Sequence, residues 1–231
     1  MLSKKKDRNR LPQGVKLIHE DRNLIIVDKP PGLLTVSTQK EKFKTVYSIL
    51  SDTVKRTNPR NKIFIIHRLD KDTSGILIFA KSEKMKKAMQ NQWETCEKEY
   101  LALIEGCPEK TEDTIVSYLA ENKMKRVYST KDSSSGKLSK TFYRVIKKKK
   151  KMSLVKVKLL TGRKHQIRVH FADLGHPVLG DQKYGKGKES SVRLALHAYS
   201  ISFFHPVEKK DFEYKTDLPV FLKNFTDTED L

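Results

Sequence analysis

Cysteine is nearly absent from this chain: Cys96 and Cys107 are the only two in 231 residues. Their spacing fits neither a CxxC metal site nor a disulfide framework, so both read as free thiols in a reducing cytoplasm. Cys96 has acids beside it rather than bases, so a lowered thiol pKa is not expected. Long apolar runs are missing too. None approaches the ~20 residues of a membrane-spanning helix, and no signal-peptide core follows Met1. There is no internal repeat and no clustered acid set of the kind that holds catalytic metals in nucleases. His165, His170 and His176 match no standard ligand spacing and have no cysteine nearby, so no metal is expected.

Acids are scarce relative to bases. Lys and Arg number 48 against 28 Asp and Glu, a net charge of +20. Such an excess suits a polyanion. A membrane surface would call for a basic amphipathic helix, which the sequence lacks. Nucleic acid is the partner class implied, with no obligatory protein partner.

The start, MLSKKKDRNR, is basic without an apolar face, so residues 1–12 read as a disordered tail and 13–231 as a single domain. Val15–Glu20 and Leu24–Val27 read as strands joined by Asp21-Arg22-Asn23. Thr45 to Thr57 and Ser82 to Trp93 have helical spacing, with Met85, Met89 and Trp93 on one face. Glu99–Gly106, Thr114–Leu119, Thr141–Ile146, Leu154–Leu160, Val192–Ala195 and Tyr199–Phe204 read as strands. Lys147–Lys151, five lysines in a row, reads equally as a solvated hairpin turn or a phosphate contact. Strands outnumber helices and short turns join them. The fold class is therefore α+β with a mainly antiparallel sheet.

Two stretches carry chemistry. His67-Arg68-Leu69-Asp70-Lys71-Asp72-Thr73-Ser74-Gly75 is a charged loop between the apolar runs Ile63–Ile66 and Ile76–Ala80, which read as strands buried on both faces. A turn capped by Asp, Thr and Ser explains Asp72, Thr73 and Ser74, but not His67-Arg68 beside Asp70. Loops held on a buried scaffold are common sites of function. The second stretch is Leu160 to Phe171, where Gly162-Arg163-Lys164-His165 opens a helix whose stripe is Ile167, His170, Phe171 and Leu174. Gly175 stops it. Arg163, Lys164 and His165 would face a nearby phosphate; a plain basic surface helix is the alternative.

Four segments in order resemble the RluA family of RNA pseudouridine synthases: NLIIVDKPPGL at 23–33, HRLDKDTSGI at 67–76, EKEYLALIEG at 97–106 and LLTGRKHQIRVHFADLGHPVLGD at 159–181. RLALHA at 193–198 matches a fifth. The resemblance implies a curved, mainly antiparallel mixed sheet with flanking helices and a central cleft. It also implies a cofactor-free isomerase that converts uridine in RNA to pseudouridine. By position, Asp70 would be the essential carboxylate, Tyr100 the ring against the uracil and Arg168 the basic partner of Asp70. Arg68 would help displace the target nucleotide. His67, Thr73 and Leu196 join Arg163, Lys164 and His165 as candidate substrate-binding or RNA-binding residues. Many members carry an S4-type domain ahead of the first segment. Here only Met1–Arg22 precede it, so RNA choice is expected to fall to the catalytic domain.

The residue types suit the reaction. A carboxylate can attack C1′, remove the 2′ proton or add to C6 of the ring. A cation lets that carboxylate stay ionised in a closed pocket, and a tyrosine face holds the detached base. The target must leave its stack to be reached. Structured RNA is the expected substrate, large-subunit rRNA ahead of tRNA. The rival readings are a tRNA-directed enzyme, a non-catalytic RNA-binding module, and a nuclease or glycosidase. A glycosidase would need a second carboxylate, for which Asp72 is the near candidate.

Overall fold

The structure, a computed structural model, describes residues 9–38, 41, 44–185, 192–223 and 225. Most of the expected basic tail lies outside the described residues. Backbone structure begins ahead of residue 13, however: Leu17 donates its N–H to Asn9 O, and Arg10 bridges to Lys16. Contacts divide the chain into two compact units, residues 1–92 with 206–208, and residues 93–205 with 209–231.

In the first unit, β1 (Lys16–Glu20) and β2 (Leu24–Lys29) form the expected hairpin. Asp21 closes its turn by accepting the N–H groups of Asn23 and Leu24 at 2.6 and 2.7 Å. β2 pairs antiparallel with β4 (Ser74–Ala80), all seven residues of which are buried. That burial explains an apolar run without polar alternation. Its expected companion is much shorter, since β3 (Phe64–Ile65) has two residues, both half-buried. Ile63 and Ile66, on either side of it, are buried without joining the strand. Helix α1 (Val46–Thr57) starts in a capping box, where Thr45 Oγ1 accepts from Ser48 N and Ser48 Oγ accepts from Thr45 N. Helix α2 (Glu83–Asn91) is capped by Ser82 and buries Met85 and Met89. Trp93 falls beyond its end, because the chain tightens at Gln92.

The second unit is an antiparallel sheet. Its strands are β5 (Glu97–Glu105), β6 (Glu112–Glu121), β7 (Val127–Thr130), β8 (Lys137–Lys149), β9 (Met152–Leu159), β10 (Leu196–His205) and β11 (Lys210–Lys215). They are ordered β10-β5-β9-β8-β6-β7, with β11 on β10. Helix α3 (Gln166–Asp173) follows β9, and α4 (Val220–Lys223) lies near the C-terminus. The core joins Ala102, Ile104, Val155 and Val157 of the sheet to Ile167 and Phe171 of α3. The lysine run ends in a hairpin turn at Lys150-Lys151, with Lys150 left-handed at φ 54°. β7, β11 and α4 were not anticipated, Val192–Ala195 forms no strand, and the strand expected over Tyr199–Phe204 is the longer β10, Leu196–His205. α3 also differs from expectation. It starts at Gln166, since His165 is left-handed at φ 54° and breaks the helical phase. Gln166 fixes this turn: its Oε1 accepts from Arg163 N and Thr161 Oγ1. Leu174 is the C-cap and is exposed, so the buried stripe stops at Phe171.

Lys29, at the end of β2, is fully buried. Its ammonium donates to Pro30 O at 3.0 Å, Leu33 O at 2.7 Å and Lys71 O at 2.8 Å. Burial pulls its pKa down from 10.5 to about 8, against the opposing pull of Asp72, Asp70 and Asp28. Between those values the unfolded chain holds a proton that the folded chain has released, so this group makes stability rise with pH across that window. The urea-unfolding free energy of wild type minus that of Lys29→Met should therefore grow from about pH 8 to 10.5. A difference that stays flat over this range would contradict the account.

Candidate active site

In the first unit the loop from His67 to Thr73 hangs between β3 and β4. Three neighbours hold its backbone. Lys29 Nζ and Gly32 N both donate to Lys71 O, at 2.8 and 2.9 Å. Buried Thr35 donates its hydroxyl to Leu69 O at 3.0 Å and accepts Leu69 N–H at 3.2 Å. His67 Nε2 accepts the Ile78 N–H at 3.1 Å, so that nitrogen is unprotonated and the ring pins the loop to β4. Leu69, Thr73 and Ser74 are buried, while Arg68, Lys71 and Asp72 are exposed. Asp70 is half-buried, flanked by residues 69 and 71, whose carbonyls are both bonded. A carboxylate thus sits on a backbone with little freedom, which is what positioned chemistry requires. Lys29 and Thr35 carry no signal of function in a periodicity reading. The Asp28-Lys29 pair closing an apolar run was the available hint.

In the second unit, Tyr100 lies on β5 between Val157 of β9 and Ala198 of β10. It shares a face with Ala102 and Ile104 and packs half-buried against their core cluster. Leu196 is buried in the same cluster. Arg168 points inward from α3 and is itself buried. The carboxylate that takes its fork was not foreseen: Nε donates to Asp181 Oδ2 at 2.7 Å and Nη2 to Oδ1 at 2.8 Å. Asp181 Oδ1 also accepts the N–H groups of Lys183 and Tyr184, at 2.9 and 3.0 Å. Burial alone would raise this carboxyl, but Arg168 and the two N–H groups hold it below the usual carboxylate range. The preceding residue, Gly180, lets the backbone of Val192 and Arg193 pack closely beside it. Its φ is 75°, and a Cβ there would meet Arg193 O at 2.4 Å.

The remaining polar candidates spread around α3. Lys164 is exposed and pairs with Glu121 at 2.5 Å. His165 Nδ1 hydrogen-bonds the Tyr184 hydroxyl at 2.7 Å. Arg163 is half-buried, and its Nε donates to Leu138 O at 3.4 Å. His170 is fully buried between Thr141 Oγ1 at 2.8 Å and Ser117 Oγ at 3.0 Å, and burial lowers its pKa to about 4. It is a neutral structural histidine. His176 donates from Nδ1 to Glu105 O at 2.8 Å.

The family profile described as RNA pseudouridylate synthase matches residues 23–173. An uncharacterized RNA pseudouridine synthase of Bacillus subtilis is 33% identical over 92% of this chain and 71% of its own length. The dual-specificity RNA pseudouridine synthase RluA of Vibrio cholerae is 34% identical over 83% of this chain and 78% of its own. Among solved structures, human RNA pseudouridylate synthase domain containing 4 covers 90% of both chains with a TM-score of 0.76 at 24% identity. Human RNA pseudouridylate synthase domain containing 1 covers 89% of this chain and 84% of its own, with a TM-score of 0.71 at 25% identity. The profile covers both the charged loop of Asp70 and the helix of Arg168, and the fold agrees with it. The chain belongs to the RluA family of RNA pseudouridine synthases, which are isomerases.

Proposed function

We propose that this enzyme isomerises specific uridines in structured RNA, large-subunit rRNA ahead of tRNA, without a cofactor. The observation that carries the reading is the Asp70 loop, tied at Leu69 and Lys71 by Thr35 and Lys29 within a chain of this family. The reaction needs no oxidant or reductant. The N1–C1′ bond breaks, a C5–C1′ bond forms, C5 loses a proton and N1 gains one. Asp70 supplies the carboxylate, whether it attacks C1′, takes the 2′ proton or adds to C6. Tyr100 carries the detached uracil on its ring, and its oxygen takes part in removing the C5 proton. Arg168, oriented by Asp181, is the cation that serves Asp70. Arg68, exposed on the loop, helps displace the target nucleotide from its stack. Residues 13–231 work together as one catalytic domain in the cytoplasm. Large-subunit rRNA is favoured because relatives include ribosomal large subunit pseudouridine synthases C and D of Buchnera aphidicola, 30% and 34% identical to this chain.

Asp70→Asn keeps side-chain size and should abolish tritium release from C5-labelled uridine in an rRNA transcript, with RNA affinity within a few-fold of wild type. Retention of a tenth of wild-type turnover would remove Asp70 from the mechanism. Asp72→Asn, on the exposed side of the same loop, should be milder.

Tyr100→Phe separates ring from hydroxyl. Turnover should fall by roughly two or more orders of magnitude with an unchanged fold. Near-normal turnover would leave Tyr100 as a stacking platform alone.

Arg168→Met retains much of the stem's packing but leaves Asp181 buried without its fork, a change that costs about 3–5 kcal/mol in buried pairs. Arg168→Met/Asp181→Leu should regain most of that stability, measured in urea, yet remain inactive. Arg168→Lys should be intermediate in turnover, since it restores charge but not the planar fork. Recovery of activity in the double variant would make Arg168 a structural residue only.

A further inference from the structure

Cations of the second unit crowd around one tyrosine ring. The Arg126 and Arg168 guanidinium carbons lie 5.1 and 5.2 Å from the Tyr184 ring centroid, and Lys183 Nζ lies 5.8 Å from it. They come from separate stretches: the start of β7, helix α3 and the turn after Asp181. The ring is held in place. Its hydroxyl accepts the Val127 N–H at 3.2 Å and hydrogen-bonds His165 Nδ1 at 2.7 Å. Lys183 is held as well, its Nζ donating to Lys125 O at 3.0 Å. The nearby carboxylates already have cations, Asp181 with Arg168 and Glu121 with Lys164. Among the described residues neither Arg126 nor Lys183 forms a salt bridge, although the Glu121 carboxylate acts on Lys183 from a distance.

This arrangement is costly for the protein alone. The Lys183 ammonium lies below the ordinary lysine value, first from partial burial and then from repulsion by Lys164, Arg168 and Arg126. Like charges fixed this close gain when an anion arrives. Cation–π stacking orients the Arg126 guanidinium, so less side-chain freedom remains to be lost on binding. A planar guanidinium beside an ammonium matches the two free oxygens of a phosphodiester.

We propose that Arg126 and Lys183, set against the face of Tyr184, form a binding site for a phosphodiester of the RNA backbone. The site would fix the strand beside α3 and is distinct from the groups that react with the uridine. Its assignment to RNA rests on the functional reading above.

The test is fluorescence anisotropy with a short labelled oligouridylate over a series of salt concentrations. Arg126→Gln/Lys183→Gln should weaken binding about tenfold at low salt. It should also make the slope of log affinity against log salt shallower by about 0.7, the contribution of one neutralised phosphate on a single strand. Lys148→Gln/Lys149→Gln removes the same charge at the other end of β9 from α3, about 25 Å along the strand, and should change affinity by less than about threefold. The charge-keeping pair Arg126→Lys/Lys183→Arg should preserve the slope. Equal losses in the two Gln pairs would overturn the site and leave only a diffuse positive field. An unchanged slope with weaker binding would overturn it in favour of Tyr184 stacking on a base. Pseudouridine formation by the wild type on rRNA and tRNA transcripts is scored in parallel. Binding without turnover refutes the functional reading, whereas turnover with equal losses refutes this site alone.

Discussion

One buried ammonium organises the first unit. Lys29 satisfies the carbonyls of Pro30, Leu33 and Lys71 at once, joining the end of β2, the Pro-Pro-Gly turn and the Asp70 loop. Carbonyls turned inward at such a junction would be expensive without a donor. A lysine reaches three of them because its head carries three N–H groups on a flexible stem. The desolvation that lowers its pKa to about 8 is the cost of that geometry. The loop then needs only Thr35 and His67 to complete its anchorage.

The second unit buries charge by a different route. Arg168 and Asp181 neutralise each other through a two-pronged contact, and two further N–H groups complete the carboxylate. A planar fork gives direction as well as charge, so the guanidinium is aimed and not merely present. Lysine suits the first setting, where donors must diverge, and arginine the second, where they must run parallel. Around Tyr184 the balance tips the other way, with more cations than the local acids take up. Excess charge left within a stable fold points to a partner of opposite sign.

Much of this was legible in the residues. β2 and β4 announce themselves as apolar runs and the helices after Thr45 and Ser82 by their spacing, while the hairpin at the lysine run was one of two even readings. Other elements were not. β7 has four residues and β11 only two apolar side chains, so neither makes an apolar run long enough to stand out. The start of α3 was misplaced because the left-handed turn at His165 depends on Gln166 bonding back to Thr161 and Arg163, which periodicity does not register.

The sequence by itself determined the class of partner, through an excess of basic residues, and the family, through motifs whose order survives along the chain. Both are properties of residue identity and order. Tertiary structure decided what those residues do to one another. Lys29 lies 42 positions from the carbonyl it holds, and Asp181 lies 13 from Arg168. Arg126 meets Tyr184 only because β6 and β7 bring its turn alongside α3. Neutralisation, orientation and repulsion act over a few ångströms in space, and such distances exist only once the chain has folded.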